Sequence, residues 1–132
     1  MRKTGLLMVA VGILLLTAVP VRTHHAFSAE FDQSKPVKMQ GVITKLEWVN
    51  PHAWLHVDVK GTDGKVVPWR FEMGGPTALL RAGWSRSDIK PGTAVTVSGF
   101  LARAGGSVGN AYQVRLPDGR DLFAGSSLKS AQ

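Results

Sequence analysis

Ten residues, Glu47-Trp48-Val49-Asn50-Pro51-His52-Ala53-Trp54-Leu55-His56, hold two of the chain's four histidines and two of its four tryptophans. Imidazole suits copper, zinc and nickel, so the histidines are candidate metal ligands. If Pro51 marks a turn and Ala53 opens a strand, His52, Trp54, His56 and Asp58 project from one face. Ala53, Leu55, Val57 and Val59 project from the other, which gives a polar, histidine-bearing face backed by an apolar core face. Four residues of extended strand separate His52 from His56 by about 13 Å, whereas ligands of one ion sit about 3 to 4 Å from each other. The pair alone cannot chelate, and a second element must complete any site.

The other two histidines, His24 and His25, are adjacent and supply that element. Their chemistry depends on where the chain is cut. Arg2 and Lys3 precede an almost unbroken apolar run over residues 6–19, and Pro20 ends it. This is the layout of a signal peptide, and 14 apolar residues fall short of the roughly 20 that span a bilayer as a helix. An uncleaved anchor is the alternative. Cutting after Thr23 makes His24 the terminus, where its α-amine and imidazole bind one Cu ion together, with His25, His52 or, more weakly, His56 as a further ligand. Cutting before Thr23 makes His25 the third residue, and an amine, two deprotonated amides and an imidazole then form a square-planar Cu(II) or Ni(II) site. The structural alternative is that His52 bonds backbone groups within the Asn-Pro-His turn and His56 belongs to a half-buried surface.

Composition narrows the function classes. Hydrophobic residues make up 44% of the 132 and charged ones 19%, which fits one ordinary globular domain rather than a disordered chain. The formal charge of +7 falls to +4 once Arg2, Lys3 and Arg22 leave with residues 1–23. That charge, on an exported chain, argues against nucleic acid as a partner. There is no cysteine, so disulfides, thiolate metal sites and thiol nucleophiles are excluded. Glu47, Glu72, Asp58 and Asp32 are acids that could pair with a histidine, but no nucleophile elbow, HExxH pair or phosphate loop accompanies them, so no catalytic residues are expected.

The elements that must position the histidines read as follows. Residues 24–38 form an N-terminal arm whose Phe27 and Phe31 pack on the domain, with one turn of helix. Residues 39–48 alternate as a strand, with Val42, Thr44, Leu46 and Trp48 on one face and Ile43, Lys45 and Glu47 on the other. A second strand covers residues 53–60, Gly61-Thr62-Asp63-Gly64 turns the chain, and a third strand covers 65–73, where Pro68 marks an edge or a bulge. A short helix begins at Pro76, uses Leu79 and Leu80 as its apolar side and stops at Gly83. Residues 93–102 and 111–116 are further strands, Pro117-Asp118-Gly119 turns the chain again, and residues 125–132 are a frayed tail. Three strands, a helix and two or more further strands are the order of a five-stranded Greek-key barrel of the OB type over residues 39–124. A bent antiparallel sheet under one helix is the alternative. Trp48 and Trp69 continue apolar faces and belong to the core, while Trp54 shares the polar face and offers an exposed platform.

The opening His24-His25-Ala26-Phe27-Ser28-Ala29-Glu30-Phe31-Asp32, then Gly41-Val42, the Glu47 to Trp54 motif, Gly83-Trp84, Lys90-Pro91-Gly92 and Asp118-Gly119-Arg120, resembles a family of small exported bacterial proteins catalogued only as a domain of unknown function. The resemblance covers essentially the whole mature chain and implies an exported OB-like domain that begins near a His-His pair. The expectation is a periplasmic or secreted, non-enzymatic binding protein that handles copper through His24, His25 and His52. The alternative is an interaction module whose Trp54 face, with Asn50 and Glu47 beside it, docks an envelope protein or a small ligand.

Overall fold

The computed structural model describes residues 27–125. The segment read as a signal peptide, the His24-His25 pair and the end of the tail lie outside the described residues. Residues 27–30 are helical and lead into β1 (Phe31–Glu47), followed by β2 (Trp54–Lys60), β3 (Val66–Glu72), the helix α1 (Pro76–Arg81), β4 (Ala94–Ala102), β5 (Val108–Arg115) and β6 (Asp121–Phe123). All six strands belong to one sheet in the order β3-β2-β1-β4-β5-β6, and every neighbouring pair in that order is antiparallel. One further pairing joins distant members of this order: Arg70, Phe71 and Glu72 of β3 run parallel to Val108, Gly109 and Asn110 of β5. Among the described residues no helix is long and apolar enough to cross a membrane.

The inward positions carry the apolar residues that alternation demands. Ile43, Leu55, Val57, Phe71, Val97 and Val114, from five strands, are all at most 1% exposed, and Met73 and Leu79 join them. In β2 the expected faces hold: Ala53, Leu55 and Val57 are buried and His56 is only partly so. The 61–64 turn forms as expected, with Gly64 at φ +79° and the Asp63 carboxylate accepting the Lys65 amide at 2.9 Å. Pro68 lies in the part of β3 that pairs with β2 alone, an edge position that requires no second donor.

Four local expectations are corrected. β1 begins at Phe31, eight residues before the expected strand, because Phe31, Asp32 and then residues 36–42 pair with β4. The first strand's faces are exchanged at its centre: Ile43 is 1% exposed and Val42 is 43% exposed. A bulge between Ile43 and Lys45 inserts Thr44 into the ladder, which places both Ile43 and Leu46 against the core. In α1 only Leu79 is buried, and Leu80 is 58% exposed. Residues 121–123, expected to follow a turn, form a sixth strand beyond the five of the expected barrel.

Trp84, expected in a loop, is the most buried tryptophan, at 2% exposure. Its indole N–H donates to the Phe123 carbonyl at 2.7 Å and so ties the segment after α1 to β6. Trp84→Phe keeps most of the apolar volume but removes the donor, and is expected to lower unfolding free energy by about 2 kcal/mol. Urea denaturation checks this, and a loss under about 0.5 kcal/mol would show that the bond contributes little.

Candidate functional site

The site grows from the turn between β1 and β2. Asn50-Pro51 is a cis peptide, and the chain leaves it through His52 into β2. The β2–β3 ladder continues past its formal ends, because the Ala53 amide donates to the Gly74 carbonyl at 3.2 Å and the Met73 amide to the Ala53 carbonyl at 2.9 Å. This carries Glu72 and Met73 beneath His52. Gly75 closes the arrangement: a Cβ there would lie 2.7 Å from the Pro51 carbonyl oxygen, so only glycine lets the two backbones approach.

His52 Nδ1 lies 3.0 Å from the Met73 carbonyl oxygen and 3.4 Å from Glu72 Oε1. A carbonyl oxygen only accepts, so Nδ1 carries the proton in this bond. In the neutral ring that leaves the lone pair on Nε2. The side chain is 51% exposed, so the ring is not sealed in the core. Glu72 is held more tightly. Its carboxyl sits at 14% exposure, and burial raises its pKa above the usual 4.5, with His52 opposing the shift and the Glu30 charge reinforcing it. Asn110, the one buried polar residue among those described, donates Nδ2–H to the Glu72 carbonyl at 3.3 Å.

Glu30 reaches this place because Arg103 secures the helical turn before β1. The Arg103 amide donates to the Glu30 carbonyl at 2.8 Å and its Nε–H to the Ser28 carbonyl at 2.6 Å. Arg103 also lies 3.6 Å from Asp32. Phe27 packs on the buried Phe31 with ring centres 5.2 Å apart.

The strand separates the two central histidines, as its geometry requires. His52 faces β3, whereas His56 Nε2 sits 3.2 Å from Glu47 Oε2 on β1. That contact falls outside hydrogen-bond alignment, which leaves the buried Nε2 without an aligned partner among the described residues. Lys45 bonds Glu47 at 2.6 Å and, with His56 beside it, lowers the Glu47 pKa. Of the four acids marked as histidine partners, Glu72 and Glu47 pair with one. Asp32 turns instead to Ser34 and Arg103.

Trp54 is partly buried, and the Arg70 guanidinium lies 4.7 Å over its ring. The platform is therefore a cation–π pair rather than a bare indole. Arg86 lies over Trp48 in the same manner at 5.8 Å. Asn50 is exposed on the turn, and His24 and His25 fall outside the described residues. Among the described residues no group of three His, Asp or Glu side chains is assembled to hold a metal ion. Arg70, Asn110 and Glu30 were not expected at the site. Alternation places Arg70 on the Trp54 face of the hairpin, but Asn110 and Glu30 have no short-range signal.

The chain belongs to a family of unknown function, DUF6152, whose model matches residues 12–111. No curated protein and no solved structure matches it.

Proposed function

We propose that this chain is an exported, non-enzymatic binding protein of the OB-like barrel type that takes up copper through His24, His25 and His52. The barrel reading is supported by the circuit of pairings β1-β2-β3-β5-β4 and back to β1, in which β3 and β5 run parallel. The metal reading rests on one observation: the Met73 carbonyl and the Glu72 carboxylate engage His52 Nδ1, which presents Nε2 as the ligand nitrogen. Metal-bound histidines commonly direct their other nitrogen at a carbonyl or carboxylate in this way. Phe31 pairs with Ala102 and Glu72 with Asn110, itself opposite Phe100, so the arm and Glu72 share one end of the sheet, and His25 is two residues before Phe27, within about 7 Å of chain. Copper is favoured because an amine-plus-imidazole donor set suits its tetragonal geometry.

The test is mass measurement of the exported protein followed by Cu(II) titration. Binding that disappears in a His24→Ala, His25→Ala double variant and weakens in His52→Ala is the expected result. Equal binding by the double variant ends the metal reading, and binding unchanged by His52→Ala removes the sheet from the site. A second reading is favoured by the Arg70–Trp54 pair, since arginine and tryptophan together are the side chains that most often anchor a protein interface. In that reading an envelope partner docks on Trp54, Asn50 and Glu47, the histidines are structural, and copper binding is absent from the unaltered protein.

A further inference from the structure

The outer face of β1, β4, β5 and β6 carries a trough of about 470 Å³, within the size range of small-ligand sites and away from His52. Its floor and walls follow from register. Lys38, Ser98 and Gln113 form one cross-strand row, and Thr96, Arg115 and Asp121 form the next. Short hydroxyl side chains on the central strand β4 make the floor, while longer side chains on its neighbours rise as walls. A smaller hollow of about 250 Å³ shares Thr96 and Arg115 with the trough, so the depression extends along the sheet.

The β5 wall is built by a local departure from alternation. The β4–β5 register shifts between Ser98 and Gly99, so Ser98 faces Gln113 while Gly99 faces Ala111. Tyr112 is the extra residue. Ala111 and Val114 both point inward at 0% exposure, and the two residues between them, Tyr112 and Gln113, both line the trough. In an uninterrupted strand one of the two would face the core. Bulges that re-aim a side chain in this way are common beside binding sites.

The lining discriminates between ligand classes. Arg115 is committed to Asp121 through two bonds, from Nε and from a terminal nitrogen, both of 2.7 Å. Only the Lys38 charge is left over, which is a weak field for a phosphate or sulfate. The rest of the lining offers donors and acceptors at short spacing instead: the Gln113 amide, which also bonds Asp121, the Ser98 and Thr96 hydroxyls and the Lys38 ammonium. Such a lining matches a ligand whose every position both donates and accepts, and the Tyr112 ring adds a flat apolar surface for a C–H face. We propose that this trough binds an uncharged, hydroxyl-rich ligand, a short oligosaccharide, stacked on Tyr112 and hydrogen-bonded to Gln113 and Ser98. The site is independent of copper.

Heteronuclear NMR titration of the exported protein with maltotriose and with chitotriose tests this, with inorganic phosphate as a third ligand. Saturable shifts confined to residues around Thr96, Ser98, Tyr112 and Gln113 with either sugar are expected. Tyr112→Ala and Gln113→Ala should each weaken binding about tenfold or more, Tyr112→Phe by less than about threefold, and His52→Ala not at all. The two truncations probe the same wall separately, so loss of folding in one leaves the other decisive. No saturable shift with either sugar, shifts mapping elsewhere, or saturation by phosphate alone would overturn the proposal.

Discussion

Gly99→Ala is expected to destabilise the protein by more than about 4 kcal/mol, enough to abolish folding in a domain of ordinary marginal stability. A Cβ at this position would fall on the Asn110 carbonyl oxygen and come within 2.7 Å of its carbon and 3.1 Å of Ala111 Cα. All three are backbone atoms, so no rotamer change relieves the overlap. Gly99 lies on β4, which is paired with β1 through Val37 and with β5 through Ala111, so neither neighbour can move away without breaking a ladder. The clash also falls at the bulge that aims Tyr112 and Gln113 outward. Gly119→Ala is the control: its φ of +87° strains any side chain, but the space around it is open. That strain alone costs on the order of 1 kcal/mol. Circular dichroism with urea denaturation checks the pair. A Gly99→Ala protein that melts within about 1 kcal/mol of its parent would show that β4 and β5 separate more readily than their pairing indicates.

The β2–β3 hairpin was legible because its information is local: apolar residues at every second position and Asp63-Gly64 at the turn. The early part of β1 was not, because Phe31 to Lys38 shows little alternation and becomes strand by pairing with β4, sixty or more residues later. Thr44 is likewise unremarkable as a residue type, yet its insertion exchanges the two faces of the strand around it. Trp84 follows a helix end and precedes a polar Ser85-Arg86-Ser87-Asp88 run, so nothing nearby marks it as core, and its partner Phe123 is 39 residues away. At the site, strand geometry sufficed to separate His52 from His56. Which acid each would meet was set by register: Glu72 is opposite Trp54 across β2–β3, and Glu47 is opposite Trp54 across β1–β2. One strand thus carries two histidine–carboxylate pairs facing different neighbours.

Glu72→Gln should move stability and copper affinity in opposite directions, which separates a positioning role from a purely structural one. Burial, reinforced by Glu30 and opposed by His52, holds the Glu72 pKa above 4.5. A carboxyl raised in the folded state binds its proton more tightly there than in the unfolded chain. Its stabilising contribution is therefore complete below 4.5 and is lost as pH rises through the folded value. Glutamine is neutral throughout, so the metal-free variant should melt higher than its parent at pH 7, and that advantage should vanish below about pH 4. The anion that is costly without metal is useful with it. In the copper site proposed above, the Glu72 anion, placed 3.4 Å from His52 Nδ1, would steady the Nδ1–H tautomer and make Nε2 a better donor to the metal. Loss of such a carboxylate typically weakens metal binding by about 10- to 100-fold, and that range is expected here. Thermal melts at the two pH values and a copper titration decide the matter together. A lower melting temperature at pH 7 would show that Glu72 is chiefly structural, and an unchanged copper affinity would detach it from the metal, since His52 would then be oriented by the Met73 carbonyl alone.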